Sequence, residues 1–353
     1  MQLNGLLKKF GIENYSALSF GNGLINNTWI VENKSDENKL ILQRINTNVF
    51  KSPEDIAFNI RLIADYLQRC QATFSGQTPG AKYLFTTPLQ TKDGNDIVKT
   101  DDGYFRMFPF IKNSHTIDVV QKPEQAYEAA KQFAKFTNVL SGLDASKLKI
   151  TLPHFHDLSF RYKHFQIAIQ NGNKEKIEKS KDVINFILHQ KNIVDEFEKI
   201  KLNPEFRIRI THHDTKISNV LFNEEDKGIC VIDLDTVMPG YFISDAGDMM
   251  RTYLSPVTED ESDFSKIEIR KDFYEAIVNG YESEMAEELT TTEKKYFLYA
   301  GKFMIYMQAI RFITDHLNDD IYYGAKYEGQ NYIRAKNQVT LLQRLQESNL
   351  MNA

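Results

Sequence analysis

Apolar and polar residues alternate in short runs over the first hundred positions, which is the period of β-strands. Glycine, asparagine and aspartate separate these runs and favour tight turns. The pattern predicts strands at residues 15–20, 28–32, 39–45, 97–100 and 104–110. Because most of the connections are short, we expect neighbouring strands to pair in an antiparallel sheet.

One segment inside this region follows a helical period instead. Its apolar residues recur every three or four positions, at Ile56, Ile60, Ile63 and Leu67. Serine is favoured as an N-cap and proline in the first turn of a helix, and Ser52 and Pro53 stand directly before this pattern. We therefore predict one helix that accompanies the sheet.

The helical period dominates from Pro123 onwards. After the first helix of this region, further helices are predicted at residues 158–170, 181–200, 271–288, 292–318 and 332–348. The chain is therefore predicted to have an α+β fold with two lobes. Residues 1–110 would form an N-terminal lobe with the sheet and its helix, and residues 111–353 a mainly helical C-terminal lobe.

Composition and charge narrow the classes of partner. The chain has 353 residues, of which 42% are hydrophobic, enough to bury a sizeable core in each lobe. Its 43 basic and 48 acidic residues leave a net charge of −5, so no basic field attracts nucleic acid or anionic lipid. Two cysteines occur, and no apolar run reaches the ~18 residues of a membrane span. We expect a cytoplasmic protein that binds a small molecule, with no nucleic-acid or membrane partner.

The most polar motif lies between two short strands predicted at residues 207–212 and 228–233. It has the form His-x-Asp-x-Lys-x-x-Asn, from His212 to Asn219, and an Asp-x-Asp motif ends the following strand. Phosphoryl transfer requires a carboxylate that accepts the hydroxyl proton and oxygen ligands for Mg²⁺. This spacing supplies both, so we predict a kinase that uses a nucleoside triphosphate.

Each acidic or amide residue of the two motifs has an expected role. Asp214 is the expected base, and Lys216 can offset charge on the transferred phosphoryl group. Asn219 and Asp233 are the expected Mg²⁺ ligands, and Asp235 either assists the metal or braces the loop. Alone, the first motif would fit equally well a turn whose side chains bond the local backbone. The apolar strand and the second motif favour the catalytic interpretation.

The residues expected to contact the nucleotide lie nearer the N-terminus. Gly21, Gly23 and Asn26 belong to a turn between two predicted strands, where a hairpin can cover the phosphates. The third predicted strand should carry a lysine for the α and β phosphates, but none stands at the expected place. Arg44 is the first candidate to replace it, and Gln43, on the opposite face of the strand, is the second.

Together these residues resemble the aminoglycoside phosphotransferase and choline kinase superfamily, which has a protein-kinase-like bilobal fold. The catalytic aspartate, the metal-binding asparagine and the metal-binding aspartate of that superfamily match Asp214, Asn219 and Asp233. Longer motifs resemble the N-acetylhexosamine 1-kinases, at residues 21–28, 42–46 with 49–50, 155–157 with 161–162, and 233–240. The resemblance implies phosphoryl transfer from ATP, with Mg²⁺, to the anomeric hydroxyl of N-acetylglucosamine or N-acetylgalactosamine.

The resemblance also implies contacts with this amino-sugar substrate. Arg311 and Tyr322 match a sugar-binding helix and loop, and Asn113, which fits a plain turn residue equally well, matches another sugar contact. Arg311 interrupts an apolar helix face, where a charge is either exposed or paired. The family's aromatic residue near the C-terminus has no obvious counterpart here, so the preferred epimer stays open.

Two other functions fit the same motifs. A kinase for an aminoglycoside, choline or another amino alcohol needs an acidic or aromatic pocket for its cationic acceptor, and the residues around Arg311 and His316 argue against one. A non-catalytic pseudokinase would explain the missing lysine, but we would expect it to have lost Asp214, Asn219 or Asp233. Thermal stabilisation by ATP that depends on Mg²⁺ would separate an enzyme from a metal-free pseudokinase.

Overall fold

The computed structural model of the chain describes residues 3–20, 25–33, 38–74 and 84–350. The first strands are β1 (Tyr15–Ser19), β2 (Asn27–Asn33), β3 (Lys39–Ile45), β4 (Val98–Thr100) and β5 (Gly103–Pro109). Within the described residues they form a five-stranded antiparallel sheet in the order β1-β2-β3-β5-β4. The alternating pattern therefore predicted both the strands and their antiparallel pairing.

Two helices cover opposite faces of this sheet. The helix α1 (Leu3–Lys9) lies on the outer face, where Leu6 and Leu7 meet Leu42 and Phe105 in a small core. The predicted helix α2 (Pro53–Phe74) lies on the other face, and its apolar residues join the large core of the rest of the chain. The sheet is thus a layer between a small core and a large one, and α2 connects it to the large one.

The remainder of the chain is mainly helical. Its helices are α3 (Pro123–Val139), α4 (Leu158–Asn171), α5 (Lys174–Lys179), α6 (Lys181–His189), α7 (Asn192–Leu202), α8 (Phe242–Tyr253), α9 (Lys271–Met285), α10 (Thr291–Lys294), α11 (Phe297–Leu317) and α12 (Gln330–Glu347). Helix α3 packs along α9, and α11 packs against α4, α8 and α12. Because α11 is apolar around most of its circumference, it lies at the centre of the large core. The predicted α+β fold is confirmed, with the sheet in the N-terminal part and the helices in the C-terminal part.

Two of the predicted helices are each divided in two. The segment predicted as one helix at residues 181–200 forms α6 and α7, which are separated at Gln190 and Lys191. The segment at residues 292–318 forms α10 and α11, with a break after Lys294. Neither break carries glycine or proline, so the apolar period runs through both without a stop signal. The division of the chain into lobes at residues 110 and 111 falls between β5 and α3 and stays a prediction.

Four short strands lie within the helical part. They are β6 (Arg209–Thr211), β7 (Val220–Phe222), β8 (Gly228–Val231) and β9 (Met238–Gly240). Strand β6 pairs with β9, and β7 pairs with β8, all antiparallel. These pairings bring the loop after β6 and the loop after β8 next to each other, and the two polar motifs lie in these loops. Among the helices that the structure describes, none is both long and apolar enough to cross a membrane.

Candidate active site

The loop between β6 and β7 is attached by its backbone to helix α8. Asp245 Oδ2 accepts a hydrogen bond from His212 N at 2.9 Å, and Asp245 Oδ1 accepts one from His213 N at 2.7 Å. Asp248 Oδ2 accepts a hydrogen bond from Thr215 N at 2.8 Å. Residues three positions apart lie on one face of a helix. Side chains on a single face of α8 therefore fix the backbone of the loop that carries the predicted base.

Both histidines of the first motif are buried beneath this loop. The His212 ring meets Phe133 edge-on at 5.1 Å, and His212 Nε2 is 2.9 Å from the main-chain oxygen of Ile232. Burial lowers the pKa of His212, and it lowers the pKa of His213 to about 4, so both rings are neutral at pH 7. A Cβ at Gly240 would lie 2.4 Å from His213 Nε2, so the close packing of this ring requires glycine. The histidines brace the loop.

Asp214 lies between a cation and an amide. Lys216 Nζ is 3.0 Å from Asp214 Oδ2, and Asn219 Nδ2 donates hydrogen bonds to Oδ2 (3.0 Å) and to the main-chain oxygen of Asp214 (2.9 Å). Burial opposes ionisation, but the charge of Lys216 and these hydrogen bonds hold the pKa of Asp214 below its usual range. The side chain is 26% exposed. Asp214 is therefore an ionised carboxylate that a hydroxyl group can approach.

The second motif concentrates negative charge beside this carboxylate. Asp233 follows β8 with a φ of 61°, a left-handed conformation that aspartate tolerates better than most residues. Burial and the charges of Asp235 and Asp214, opposed by Lys216, raise the pKa of Asp233 to about 6. The main-chain oxygen of Asn219 accepts a hydrogen bond from the residue before Asp233 at 2.9 Å, which holds the two motifs together. Because Lys216 offsets only part of this negative charge, the cluster favours a bound cation.

Asn219 and Asp233, the predicted Mg²⁺ ligands, fit a site that a nucleotide would complete. Because the Asn219 amide uses Nδ2 towards Asp214, its Oδ1 is the atom that can bind a cation. In the part of the chain that the structure describes, no three His, Cys, Asp or Glu side chains form a metal-binding group by themselves. Mg²⁺ needs only one or two carboxylates when substrate phosphates and water supply the other ligands. The donor set therefore suits Mg²⁺ bound together with phosphates.

Asp235 is occupied by side chains from the sheet. Its Oδ1 forms an ion pair with Arg106 Nη1, and its Oδ2 accepts a hydrogen bond from Asn26 Nδ2 at 2.7 Å. The side chains of Asp235 and Arg106 are each 2% exposed. The other predicted nucleotide contacts in the same turn, Gly21 and Gly23, lie outside the described residues. Asp235 thus joins the helical part to the sheet, and Asn26 is brought to the acidic cluster.

Gln43 and Arg44, the two candidates for the missing lysine, lie on opposite faces of β3. Gln43 Oε1 accepts a hydrogen bond from Arg106 Nε at 3.0 Å, on the face that turns towards Asp235. Arg44 lies on the other face, where its Nη2 and Nε donate hydrogen bonds to Asn27 Oδ1 at 2.7 and 3.2 Å. The structure therefore does not bring Arg44 to the acidic motifs. Strand alternation predicts opposite faces, but the face that turns to the cleft depends on packing.

Arg311, a predicted sugar contact, lies on α11 among aromatic rings. Its guanidinium carbon is 5.3 Å from the ring centre of Phe155 and 5.4 Å from that of Tyr323. Arg311 Nη1 donates a hydrogen bond to Gln308 Oε1 at 3.0 Å. The Phe155 ring centre is in turn 6.5 Å from that of His213 in the loop between β6 and β7. This group therefore lies beside the loop that carries the predicted base.

The two other predicted sugar contacts are more exposed. Tyr322 is 65% exposed, and its ring meets that of Tyr323 edge-on at 4.8 Å. Asp315 accepts hydrogen bonds from Tyr322 N at 2.7 Å and from Tyr323 N at 2.9 Å, which fixes the chain after α11. Asn113 lies in an exposed turn with a φ of 55°.

Arg161 and His156 also belong to this group, although their sequence pattern indicated no specific role. Burial and the charge of Arg311 lower the pKa of Arg161 to about 10, so it remains a cation at pH 7. His156 stacks on Phe155 with ring centres 4.4 Å apart, and burial lowers its pKa well below the usual range. The Nε atoms of both arginines have no hydrogen-bonding partner among the described residues. We call Arg161, Arg311, Phe155, His156 and Tyr323 the arginine wall.

Comparison with known proteins agrees with the fold described above. Residues 16–288 match the model of the phosphotransferase enzyme family. An aminoglycoside phosphotransferase from Alicyclobacillus acidocaldarius has a TM-score of 0.61 at 12% identity, with 97% of this chain and 94% of that chain covered. A spectinomycin phosphotransferase in complex with ADP and spectinomycin has a TM-score of 0.60 at 14% identity, with 98% of each chain covered. A microcompartment-associated aminopropanol kinase has a TM-score of 0.59 at 15% identity, with 98% of this chain and 97% of that chain covered.

The family match extends over most of the chain and includes both polar motifs, so this protein belongs to the phosphotransferase enzyme family.

Proposed function

We propose that this protein transfers the γ-phosphoryl group of ATP to the anomeric hydroxyl of N-acetylglucosamine or N-acetylgalactosamine. Family membership and the ionised carboxylate of Asp214 support the phosphotransferase activity. The arginine wall beside the catalytic loop supports an uncharged sugar as the acceptor. The resemblance of the longer motifs to the N-acetylhexosamine 1-kinases supports the choice of sugar and of its hydroxyl.

Asp214 is the residue that orients the acceptor hydroxyl and accepts its proton. Its low pKa keeps the carboxylate ionised, and its partial exposure lets the hydroxyl reach it. Lys216 keeps its positive charge because the attraction of Asp214 and Asp233 outweighs the effect of burial on its pKa. An ammonium group at this position can also stabilise charge on the transferred phosphoryl oxygens.

Asn219 and Asp233 are the residues that would hold Mg²⁺. When bound there, Mg²⁺ would supply positive charge that offsets the negative charge of the ATP phosphates. The chain contributes by fixing these two oxygen donors. Asn219 is held by its hydrogen bonds to Asp214, and Asp233 by the left-handed turn after β8.

The arginine wall is the observation that favours an uncharged acceptor over a cationic one. A cationic acceptor such as choline or an aminoglycoside would approach Arg161 and Arg311, which repel positive charge. The two oxygens of Asp315 accept hydrogen bonds from backbone amides, so they are already engaged when an acceptor binds. Guanidinium groups donate hydrogen bonds to hydroxyl and carbonyl oxygens, and aromatic rings pack against the apolar face of a sugar. The names of the solved relatives indicate other acceptors, but at 12–15% identity these proteins share the fold alone.

The experiment is to measure ADP release with ATP and Mg²⁺ for a panel of acceptors. The panel contains N-acetylglucosamine, N-acetylgalactosamine, glucose, galactose, choline and kanamycin, and phosphorus NMR identifies the phosphorylated position. Asp214→Asn protein and a reaction without Mg²⁺ are the controls. We expect a sugar 1-phosphate from the acetamido sugars and none from choline or kanamycin.

Each other result would change the proposal in a defined way. Turnover of choline or kanamycin alone would keep the phosphotransferase but reject the acetamido sugar. Turnover of glucose as fast as that of the acetamido sugars would show that the acetamido group is not recognised. ATP binding without turnover of any acceptor would favour a non-catalytic protein.

A further inference from the structure

A row of polar side chains crosses the sheet on the face that turns towards Asp235. Gln43 on β3 lies directly opposite Thr28 on β2 and Arg106 on β5. Gln43 Nε2 donates a hydrogen bond to Thr28 Oγ1 at 3.4 Å, and Gln43 Oε1 accepts one from Arg106 Nε at 3.0 Å. Because directly opposite side chains share one face of a sheet, the row directs Arg106 to the Asp-x-Asp motif.

Arg106 is a buried cation whose acidic partner comes from the helical part of the chain. Its side chain is 2% exposed, and Nη1 forms an ion pair with Asp235 Oδ1. Apart from this ion pair, neither atom has a hydrogen-bonding partner among the described residues. Burying two charges costs desolvation energy that their attraction offsets only in part. The pair therefore contributes little net stability to the fold. Its presence indicates a role in binding.

Two other cations that were candidates for phosphate binding are engaged elsewhere. Lys216 lies 3.0 Å from Asp214, on the side where the acceptor hydroxyl is expected. Arg44 lies on the opposite face of β3, where it bonds Asn27. Arg106 is thus the arginine of the described sheet that contacts the Asp-x-Asp motif.

We propose that Arg106 is the phosphate-binding cation of this protein, in place of the lysine that β3 lacks, and that Asp235 orients it. This inference rests on the proposed use of ATP. Neighbouring strands are about 4.8 Å apart, so a long side chain on β5 can reach the space that a lysine on β3 would fill. A guanidinium can bind two phosphate oxygens at once. Asp235 would then orient Arg106 and would not be a Mg²⁺ ligand, because Arg106 and Asn26 use its two oxygens.

The test compares the affinity of protein variants for ATP, ADP and adenosine by calorimetry. For Arg106→Gln we expect ATP and ADP to bind at least ~10-fold more weakly, as for one lost charge-assisted hydrogen bond, while adenosine binds as before. Arg106→Lys should lose less affinity for ATP because it keeps the charge. Lys99→Gln, which removes an exposed cation of the same sheet, is the matched control and should leave all three affinities unchanged.

Arg44→Gln tests the rival assignment. If Arg44 binds the phosphates, its loss and not that of Arg106 will weaken ATP and ADP selectively, and our inference is overturned. Equal weakening of adenosine and ATP by Arg106→Gln would also overturn it, because that result indicates a purely structural residue. Wild-type protein that binds no ATP would instead reject the proposed function.

A double variant separates folding from phosphate binding. Arg106→Gln alone leaves Asp235 buried without its cation, so the variant protein should melt at a lower temperature. Arg106→Gln combined with Asp235→Asn removes both charges and should recover much of the lost stability. We expect this double variant to bind adenosine normally but ATP at least ~10-fold more weakly. Recovery of normal ATP affinity in the double variant would show that Arg106 serves stability alone.

Discussion

Buried carboxylates hold both the loop between β6 and β7 and the sheet, but their partners differ between the two regions. They bind backbone amides in the first region and side chains in the second. Within the helical part, Asp245 and Asp248 accept hydrogen bonds from backbone amides of the loop. Between the helical part and the sheet, Asp235 forms an ion pair with Arg106 and accepts a hydrogen bond from the side chain of Asn26. Side chains can exchange partners without any change of the backbone, whereas backbone amides cannot. We infer that the fold sets the position of the base, while the side chains that bind Asp235 on the sheet can rearrange when a nucleotide binds.

The largest effect should come from the base itself. Replacing Asp214 with asparagine keeps the shape of the side chain but removes proton acceptance, so kcat should fall by about 10²- to 10⁴-fold. ATP should still raise the melting temperature in the presence of Mg²⁺, because the sheet side of the site is intact. Steady-state kinetics and thermal melting measure the two quantities. Asp93→Asn, on an exposed turn, is the control, and wild-type turnover in Asp214→Asn would remove Asp214 from the mechanism.

Loss of the loop anchor should be the next largest effect. Asp245→Ala leaves two buried backbone amides without an acceptor, which should lower the free energy of unfolding by about 2–5 kcal/mol. Urea denaturation measures this change, and kcat should fall more than the affinity for ATP. Glu287→Ala, at an exposed position of the same part, should change stability by less than ~0.5 kcal/mol. Equal effects of the two substitutions would contradict the anchoring role.

A smaller effect is expected on the acceptor side. Arg311→Ala should raise the KM for the acceptor sugar about 10-fold, with little change in the KM for ATP, if it donates one charge-assisted hydrogen bond. Initial rates at varied sugar and ATP concentrations separate the two constants. The matched control is Arg344→Ala, whose side chain is 51% exposed on α12. An unchanged KM for the sugar would leave Arg311 with a structural role only.

The smallest effect should come from the hydrogen bond between Asn26 and Asp235. Asn26→Ala removes one hydrogen bond to Asp235, worth about 1 kcal/mol, so ATP affinity should fall roughly 5-fold. The kcat at saturating ATP should stay close to that of the wild type, because the backbone of the catalytic loop is held from α8. A large fall in kcat would show instead that the sheet helps to position the base.

Local signals in the sequence were strong for the strands and for the polar motifs. Alternation of apolar residues identified the five described strands of the sheet, because one face of each strand packs against a core. The helix breaks after α6 and α10 were not predicted, since no glycine or proline marks them. There the backbone turns because of packing between distant segments, and the sequence period continues across the break.

Long-range contacts account for what was not predicted about the site. Arg106 and Asp235 are far apart in the chain, as are Arg161 and Arg311, and no local pattern shows that either pair meets. Arg44 matched the expected position of a phosphate-binding cation by residue type, but packing of the sheet turns it away from the cleft. Side-chain direction in a strand follows from which face the rest of the protein covers.

Patterns in the sequence were enough to predict the fold class, the family resemblance and the candidate chemistry of Asp214, Asn219 and Asp233. These features depend on the spacing of residues within short segments. Residues that are close in the sequence also lie close together in one loop or at one strand end. The cation that meets Asp235 and the side chains that form the arginine wall became known from the folded structure. Those contacts join segments that come together only when the cores pack, so their partners are set by burial and register.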